Sequence, residues 1–231
     1  MDGEDDGRGP DDGGTNADGP TGAETPRETY DRIAEHFAST REYPWPEVSS
    51  FLDDHAADSA RGLDLGCGNG RHAEAMAEDV AAVVGFDASR GLLDQAAERA
   101  AERGFDVELV RGDAAELPFR DDAFDIAVYV ATLHHLRTRE DRVRSLSELA
   151  RVLRPEGRAV VSAWSTEHDR FEETEGFDTT VDWTLPGGER VPRFYHIYAP
   201  DEFESDLGES DLRVREAFVS SGNCYAVVSP A

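Results

Sequence analysis

Residues Asp64 to Gly70, which read Asp-Leu-Gly-Cys-Gly-Asn-Gly, place three glycines at alternate positions after an acidic side chain. Glycine permits the sharp turn and the close backbone approach by which a loop between a strand and a helix binds a ligand. The spacing is GxGxG, and Arg71 stands where the dinucleotide-binding pattern GxGxxG requires its last glycine. The loop therefore predicts a ligand site at a helix N-terminus, and not a dinucleotide site of the common type.

Two further aspartates follow the next two predicted strands. Asp87 ends the second strand, where a carboxylate can accept hydrogen bonds from both hydroxyls of a ribose. Asp113 follows the third strand, where it can bind the exocyclic amine of adenine while the backbone N–H of Ala114 donates to a ring nitrogen. Each aspartate alone is more often a loop or capping residue. Together with Asp64, at three successive strand ends, they favour a nucleoside-binding site.

This combination resembles the class I S-adenosylmethionine-dependent methyltransferases over about residues 58–164. The resemblance implies a Rossmann-like α/β fold, a seven-stranded sheet with helices on both faces, and S-adenosylmethionine as the cofactor. It also implies that Gly66 and Gly68 lie beside the methionine moiety and that Val130 lies near the sulfonium. Cys67 is a nucleophile by residue type, but a thiol in this loop more often packs. The residues implied in cofactor binding are Tyr30, Asp64, Gly66, Cys67, Gly68, Asp87, Ala88, Asp113, Ala114 and Val130.

Aromatic residues and arginines on both sides of this region carry a narrower resemblance. They occur at 30–37, 40–41, 44–46, Leu133-His134-His135 with Thr138, Trp164, and 193–198, which reads Arg-Phe-Tyr-His-Ile-Tyr. Over about residues 28–200 they resemble the tRNA wobble-uridine methyltransferases, which esterify 5-carboxymethyluridine in the anticodon loop. The resemblance implies tRNA as a partner. It also implies a small zinc-binding activator protein that docks on an edge strand near Phe105–Leu109.

The implied acceptor explains the choice of candidate residues. A carboxylate is already ionised at neutral pH, so it accepts a methyl group without a general base and needs only orientation and exclusion of water. An arginine fork can hold such a carboxylate, and aromatic rings can stack on an extruded base. We expect positioning roles for Arg41, His135 and Arg193, and substrate contacts from Trp45, Tyr195, His196 and Tyr198. The competing interpretations are surface ion pairs for the arginines, core packing for the aromatic rings and structural roles for the histidines.

Two other functions remain open. One is a small-molecule methyltransferase, for example of quinone biosynthesis, and the other is a non-catalytic subunit that binds the cofactor within a complex. Arg41 and Trp45, which precede the first strand, and the segment 193–198 favour a tRNA substrate, because a hydrophobic quinone does not need them. The last strand departs from the pattern of the eukaryotic members, which have paired tryptophans where this chain has Asn223-Cys224-Tyr225. We therefore expect a different wall at that end of the pocket.

Alternating strand and helix patterns predict how these residues are positioned. Strands are expected at 61–65, 81–86, 106–110, 124–130 and 158–164, with helices at 70–79, 89–103 and 138–153, the last ending in a Pro/Gly turn at 154–157. Such alternation predicts a parallel sheet covered on both faces. The predicted domain, 25–231, also has helices after Pro26 and Pro46, an irregular insertion over the site at 165–198, a helix at 200–207 and an antiparallel strand pair at 212–219 and 223–228.

Three arginines of the 138–153 helix and the turn after it recur at helical spacing. Arg144, Arg151 and Arg154 fall within about 80 degrees of one another around the helix axis. One interpretation is contact with phosphate. The commoner one is a solvated face paired with nearby acidic residues.

The amino-acid composition indicates the ionic conditions in which the protein functions. The 231 residues include 50 acidic residues and 23 basic ones, all arginine, for a net charge of −27. Carboxylates hold water and counterions where salt screens their repulsion, so we expect a halophilic protein. Taken with the family resemblance, this implies an archaeal-type member. High salt also removes most of the counterion-release contribution to nucleic-acid binding, so this acidity does not exclude an RNA substrate.

The N-terminal segment, the hydropathy of the chain and its cysteine content bear on the cellular location of the protein. Residues 1–24 hold eight acidic residues and seven glycines with no large aliphatic residue after Met1, which predicts a disordered tail. No stretch approaches the roughly 18 apolar residues of a membrane span. Two cysteines, Cys67 and Cys224, are too few for a disulfide framework or a zinc site within the chain. We expect a cytoplasmic protein without a bound metal or a membrane partner.

Overall fold

The structure, a computed structural model, describes residues 24–231. Apart from Glu24, the predicted tail therefore lies outside the described residues. The described chain alternates strands and helices from Pro26 onward, as the sequence predicts. The strands are β1 Arg61–Leu65, β2 Ala82–Asp87, β3 Glu108–Arg111, β4 Phe124–Val130, β5 Leu153–Trp164, β6 Phe177–Thr184, β7 Arg190–Ile197, β8 Leu212–Ser220 and β9 Asn223–Pro230.

Seven of these strands form one sheet, in the order β3-β2-β1-β4-β5-β9-β8. The first five strands are parallel, and β9 pairs antiparallel with both β5 and β8. The predicted seven-stranded sheet, its closing antiparallel pair and the position of β3 at an edge are confirmed. The strand order reverses between β1 and β4, and ligands bind beyond the carboxyl ends of parallel strands at such a reversal.

Helices cover both faces of the sheet. They are α1 Pro26–Ser39, α2 Pro46–His55, α3 Arg71–Ala77, α4 Arg90–Arg103, α5 Arg139–Val152 and α6 Pro200–Glu209, with a 3₁₀ turn at Leu133–His135. On one face α5 and α6 bury Leu146 and Phe203, and on the other α2 and α3 bury Phe51 and Met76. Each such side chain contributes about 1.5–3 kcal/mol when it leaves water. Among the helices of residues 24–231, none is long and apolar enough to cross a bilayer.

Capping residues determine where the helices near the site begin. The Thr25 side chain accepts from the backbone N–H of Glu28, and the Glu28 carboxylate accepts from the backbone N–H of Thr25. Pro26 occupies the first turn of α1, where its missing N–H costs nothing. The hydroxyl of Ser89 likewise accepts from Leu92 N–H at the start of α4. These contacts satisfy backbone donors that an uncapped helix leaves unpaired.

The strand β5 begins earlier than the sequence predicts. Leu153 directly follows α5 and pairs with Phe124, and regular pairing resumes where Arg158 meets Ile126. Residues 154–157, predicted as a separate turn, instead interrupt the pairing between these two points. The Pro/Gly signal therefore marks an irregularity within a strand, a position where both residue types are tolerated.

Residues 165–198 are more regular than the sequence predicts. The strands β6 and β7 form an antiparallel hairpin outside the main sheet. Alternate residues are buried on one side, among them Trp183 and Tyr195. The sequence does not show this period-two pattern clearly, because the polar residues Thr179, Arg193 and His196 occupy buried positions. The hairpin is the element that carries Arg193.

The arginine row of α5 is paired with local acidic residues. Arg151 lies between Glu148 and Asp121, and Arg154 forms an ion pair with Asp125. The remaining member, Arg144, lies 3.9 Å from Asp141. The structure therefore favours the solvated, paired interpretation of this row over a phosphate-binding one.

Helix α1 is fastened across the carboxyl ends of the strands by one carboxylate. Asp31 Oδ1 accepts from the Ser89 hydroxyl at 2.7 Å and from the Gly91 backbone N–H at 2.9 Å. A Cβ on Gly91 would lie 2.9 Å from the Cβ of Ala34, so α1 and α4 meet closely only because this residue is glycine. Burial acts to raise the pKa of Asp31, but the hydrogen bonds from Gly91 and Ser89 bring it below its ordinary value.

Replacing Asp31 with alanine should lower the free energy of unfolding by about 1–2 kcal/mol, because the Gly91 N–H loses its acceptor. The native pKa of Asp31 lies below the unfolded one, so its contribution is present above the unfolded pKa and disappears as pH falls through the native pKa. Denaturant unfolding of wild type and variant at neutral and acidic pH tests this. The control, Asp94→Ala, removes only an exposed pair with Arg90. Equal midpoints for the two variants at neutral pH would contradict the proposed tie.

Candidate functional site

A cavity of about 810 Å³ lies at the carboxyl ends of β1, β2, β3 and β4, beneath α1. This volume falls within the range of roughly 300–1,000 Å³ that is typical of small-molecule sites. His135, together with Tyr30 and Phe37 of α1, forms part of its wall. Nine of the ten residues predicted to bind a cofactor also line it, namely Tyr30, Gly66, Cys67, Gly68, Asp87, Ala88, Asp113, Ala114 and Val130.

The glycine loop after β1 forms one wall of the cavity. Gly66 has φ +76°, and a Cβ at this position would lie 2.1 Å from the hydroxyl oxygen of Thr132. Gly70 adopts the left-handed conformation as the residue that precedes α3. Both positions therefore require glycine, for conformation and for space. The GxGxG spacing of the predicted binding loop therefore puts glycine at the positions where the backbone conformation requires it.

Asp87 joins this loop to the end of β2. Its Oδ2 accepts from the backbone N–H of Gly68 at 2.9 Å, and its Oδ1 accepts from that of Ser89 at 2.8 Å. Burial raises the pKa of Asp87, although these hydrogen bonds act to lower it. Each carboxylate oxygen can accept more than one hydrogen bond. Asp87 can therefore hold the loop and still accept from ligand hydroxyls in the cavity.

Asp64 lies at the end of β1, beneath the loop, and is almost fully buried. Its Oδ2 has no hydrogen-bond partner among residues 24–231. Burial raises the pKa of Asp64 to about 7, and the neighbouring charge of Asp87 also acts to raise it. A buried carboxylate oxygen without a donor is costly, and an ammonium group would satisfy it. Asp64 is the one predicted cofactor residue outside the cavity wall, and its unsatisfied oxygen beneath the glycine loop fits a cofactor that carries an α-amino group, as S-adenosylmethionine does.

Asp113 and Ala114 follow β3 at another part of the cavity rim. Asp113 is exposed, and its Oδ1 accepts from the backbone N–H of Ala115 at 2.9 Å. Phe86 packs directly beneath this turn, since a Cβ on Gly112 would lie 2.5 Å from its ring. One carboxylate oxygen thus fixes Asp113 at the rim, in the position expected of an adenine contact.

Cys67 has the surroundings of a packing residue. It is buried, and a Cβ on the neighbouring Gly85 would lie 3.2 Å from its sulfur. Burial raises the pKa of the Cys67 thiol well above its ordinary value, and the charges of Asp87 and Asp64 add to that effect. Because the thiolate is the reactive form, this cysteine is unsuited to nucleophilic catalysis.

His135 connects the cavity wall to the β6–β7 hairpin. Its Nε2 lies 2.9 Å from the Tyr30 hydroxyl, and its Nδ1 lies 2.9 Å from the carbonyl oxygen of Phe194. A carbonyl only accepts, so Nδ1 carries the proton and Nε2 accepts from the Tyr30 hydroxyl. Burial lowers the pKa of His135 to about 3, and the charge of Arg193 adds to the decrease. The ring is therefore neutral near pH 7 and orients Tyr30.

Arg41 and Arg193 both lie close to the ring of Trp183. The guanidinium carbon of Arg41 lies 5.6 Å from the ring centroid of Trp183, and that of Arg193 lies 4.8 Å from it. Arg193 also lies 5.2 Å from the ring of Tyr195 and is 5% exposed. Burial raises the pKa of Tyr195, and the two arginines act in the opposite direction. These arginines adjoin the Tyr30 side of the cavity without forming its surface.

Tyr195 supports this wall from behind. Its ring stacks on Trp164 with centroids 4.8 Å apart, and its centroid lies 4.6 Å from that of His135. Tyr195 is also buried, with 5% exposure. In this conformation its ring is already engaged by protein neighbours, which corrects the expectation that it stacks on a nucleobase.

Tyr198 and His196 are structural residues, contrary to the sequence prediction. Tyr198 is fully buried, and its hydroxyl donates to Asp206 at 3.1 Å. His196 is buried between two carboxylates, with Nδ1 2.7 Å from Asp178 and Nε2 2.9 Å from Glu202. Both side chains therefore join β7 to neighbouring elements and have no free edge for a substrate. Sequence cannot distinguish such satisfied polar residues from binding residues.

Trp45 lies next to the cavity, in contact with two residues that line it. Its half-buried ring lies 6.2 Å from His72 and 6.3 Å from Tyr225, measured between centroids. The guanidinium carbon of Arg71 lies 5.3 Å from the Trp45 centroid, and Arg71 and His72 both line the cavity. Tyr225 belongs to the segment where eukaryotic members were expected to differ, and it forms part of this region. Stacking of Trp45 on a base stays a prediction.

Asn69 is a site residue that sequence reasoning overlooked. Its side-chain amide donates to the carbonyl oxygens of Arg41 at 2.8 Å and Ala38 at 3.3 Å. The glycine loop is thereby tied to the end of α1 and to the residue predicted to position the acceptor. The sequence signal for Asn69 was its polar side chain between two glycines, in a loop predicted to bind a ligand.

Among residues 24–231, no group of three or more His, Cys, Asp or Glu side chains is placed to hold a metal.

Comparisons with known proteins agree with this geometry. Residues 63–161 match the family described as methyltransferase domain. A protein of Encephalitozoon cuniculi named as a methyltransferase is 33% identical over 205 residues, which are 86% of this chain and 92% of that protein. The tRNA (carboxymethyluridine(34)-5-O)-methyltransferase of Saccharomyces cerevisiae is 34% identical over 172 residues, 72% of this chain and 58% of that enzyme. The enzyme with the same activity name in Xenopus tropicalis is 38% identical over 142 residues, 62% of this chain. The match spans only 21% of that longer protein.

Solved structures share the fold at lower identity. The CcbJ methyltransferase of Streptomyces caelestis superposes with a TM-score of 0.73 at 21% identity, over 90% of this chain and 100% of that one. The 1,6-didemethyltoxoflavin-N1-methyltransferase of Burkholderia thailandensis, solved with S-adenosylhomocysteine, superposes with a TM-score of 0.65 at 22% identity. That match covers 92% of this chain and 91% of that one. The chain therefore belongs to the class I S-adenosylmethionine-dependent methyltransferases, in the family that includes the yeast and E. cuniculi proteins.

Proposed function

We propose that this methyltransferase acts on tRNA and esterifies the carboxylate of a 5-carboxymethyl group on a wobble uridine. The reaction breaks the bond between the sulfonium and its methyl group, forms a carbon–oxygen bond to the carboxylate, and releases S-adenosylhomocysteine. No proton leaves the acceptor in this step. The activity names of the yeast and Xenopus relatives support the proposal.

The observation that carries the proposal is the state of the titratable side chains near Tyr30. His135 is neutral, with its pKa at about 3 and both ring nitrogens engaged. Burial also lowers the pKa of His72 well below its ordinary value and raises that of Cys67. A hydroxyl or amine acceptor would need a base with a pKa near the working pH. A carboxylate needs none. Asp64, whose pKa is about 7, lies beneath the glycine loop and is not part of the cavity wall, so the wall itself suits an acceptor that arrives ionised.

The two arginines at Trp183 supply the charge that such an acceptor requires. In a chain of net charge −27, the guanidinium groups of Arg41 and Arg193 place two positive charges beside one ring. A guanidinium can donate two parallel hydrogen bonds to a carboxylate and so fix its orientation. Because neither arginine forms the cavity wall, we assign to Arg41, the less buried of the two, the orientation of an acceptor that extends beyond the cavity on the Tyr30 side, and to Arg193 a supporting electrostatic role.

The remaining predicted residues hold the cofactor and exclude water. When bound, S-adenosylmethionine supplies an electrophilic methyl group. We assign ribose binding to Asp87, adenine binding to Asp113 with Ala114, and the α-ammonium group to Asp64. Helix α1 covers the cavity with Tyr30, and this cover excludes water from the methyl-transfer step.

The edge strand β3 supports the proposed docking of a zinc-binding activator protein. Phe105, Val107 and Leu109 are partly buried there, next to small side chains of α4 such as Ala97 and Ala101. A shallow depression of about 440 Å³ lies between them. An exposed edge strand offers unpaired backbone donors and acceptors to a partner strand, and a neighbouring apolar groove adds side-chain contacts.

Substituting either proposed nucleoside contact should weaken cofactor binding. Asp87→Ala and Asp113→Ala each remove charge-assisted hydrogen bonds, and we expect the Kd for S-adenosylhomocysteine to rise about 10- to 100-fold. Isothermal titration calorimetry in molar salt measures this. Asp94→Ala, on the outer side of α4, serves as the control. Unchanged affinity in both variants would refute the proposed site.

The state of Asp64 predicts a pH dependence of binding. With a pKa of about 7 in the free protein, Asp64 is largely protonated below that pH, whereas an ammonium ligand favours its ionised form. Affinity for S-adenosylhomocysteine should therefore rise with pH from 5 to 7, by at most about tenfold per pH unit, and then level off. Asp64→Asn should abolish the slope and Asp113→Asn should keep it. The same slope in Asp64→Asn as in wild type would contradict the assignment.

The reaction itself is tested by isotopically labelled methyl transfer to total tRNA from a strain that lacks this gene. The assay is run in molar salt, with and without the candidate activator, and nucleosides are identified by mass spectrometry. We expect label on a carboxymethyluridine, as an ester that mild alkali releases. Label on another nucleoside would keep the enzyme class and remove the wobble assignment. Absence of label in both preparations would favour a small-molecule acceptor.

A further inference from the structure

Arg71 is a charged residue of the cavity that the assignments above do not use. It is the first residue of α3, directly after the glycine loop, and its half-buried side chain lines the cavity next to Asn69 and His72. Phe37 of α1 lines the same region. Arg71 therefore lies beside the loop predicted to hold the methionine moiety.

The guanidinium of Arg71 has no carboxylate partner among residues 24–231. Its contacts there are one long hydrogen bond of 3.5 Å to the carbonyl oxygen of Tyr43 and a stacking contact with Trp45. Nearby arginines differ in this respect, since Arg99 pairs with Glu74 and Arg103 pairs with Glu42. A guanidinium carries five N–H donors, so at least four of those on Arg71 are left for a ligand.

The charges around Arg71 leave it in need of an anion. Burial lowers the pKa of Arg71 to about 10, and the charge of Arg41 adds to the decrease. Asp64 and Tyr225 act in the opposite direction, and Arg99 acts in the same direction as Arg41. A partly buried cation without a counter-ion is costly, and a bound anion removes that cost.

The side chain is also held in place before a ligand arrives. Trp45 lies between two prolines, and its φ of −73° and ψ of 145° direct the chain into α2. The ring of Tyr225 lies 6.3 Å from that of Trp45, and its hydroxyl donates to Glu47 of α2 at 3.4 Å. An arginine stacked on a fixed indole ring loses less conformational freedom when it binds a planar anion.

We propose that Arg71 is a carboxylate-binding residue at this end of the cavity. Two carboxylates are the candidates for this contact: the amino-acid carboxylate of the cofactor and, if the proposed function holds, the carboxymethyl group of the acceptor. A fork of parallel N–H donors on Arg71 holds either group, with Asp64 available for the adjacent ammonium group in the first case. Arg71 then helps to determine the position of the cofactor and the acceptor relative to each other.

Two matched pairs of ligands distinguish the sources by calorimetry. The first pair is S-adenosylhomocysteine and its decarboxylated form, and the second is an anticodon stem-loop with carboxymethyluridine or with the uncharged carbamoylmethyluridine, in the presence of S-adenosylhomocysteine. Wild type should prefer the carboxylate in at least one pair. Arg71→Met should reduce that preference by about 10- to 100-fold, and Arg71→Lys should reduce it less.

The control variant is Arg90→Met, which removes an equal charge from an exposed pair with Asp94 on α4. It should keep both preferences, and thermal unfolding of every variant shows whether it is folded. Loss of preference in the first pair assigns Arg71 to the cofactor, and loss in the second assigns it to the acceptor. If wild type does not distinguish the two stem-loops, the proposed function fails and the cofactor pair alone decides the role of Arg71. Preferences that are the same in Arg71→Met and wild type would overturn the proposal.

Discussion

The carboxylate of Asp87 connects the parts of the site that must not move relative to one another. It accepts from Gly68 in the loop after β1 and from Ser89 at the start of α4, while its own backbone ends β2. The parallel pairing of β1 with β2 brings these three points together at one edge of the sheet. The partly buried carboxylate is tolerable there because backbone donors satisfy it. The position of the glycine loop relative to β2 and α4 is consequently fixed by Asp87.

The acceptor side is built from elements outside the main sheet. Ile33 of α1 packs against Trp183 and Val191 of the β6–β7 hairpin, so helix and hairpin form one small apolar cluster. His135 joins the same two elements, through the Tyr30 hydroxyl on one side and a hairpin carbonyl on the other. Removing water in this way strengthens the attraction between a guanidinium and a carboxylate, because the local dielectric falls. The role proposed for the arginines at Trp183 depends on this covering.

Two arginines of α4 also hold the segment between α1 and α2 in place. Arg99 binds Glu74 at 2.5 Å and the carbonyl oxygen of Glu42, and Arg103 binds the carboxylates of both glutamates. These contacts hold the chain between α1 and α2 against α4. Salt screens long-range repulsion among 50 acidic residues, but it weakens short and partly buried pairs much less. A lysine could not make the same contacts, since only a planar fork donates in several fixed directions at once.

The sequence by itself determined the features that depend on local pattern. Alternating strands and helices predicted the sheet, and the GxGxG loop with aspartates at three strand ends predicted a nucleoside cavity, because parallel strands must end at one edge. Only the tertiary structure decided which polar side chains face that cavity. Tyr198 and His196 are satisfied by Asp206, Asp178 and Glu202, whereas Arg71, which the sequence marked only as a departure from a pattern, faces the cavity without a described counter-ion. The physical reason is that a side chain's role depends on which distant groups satisfy its charge and hydrogen bonds, and residue type and spacing do not specify those partners.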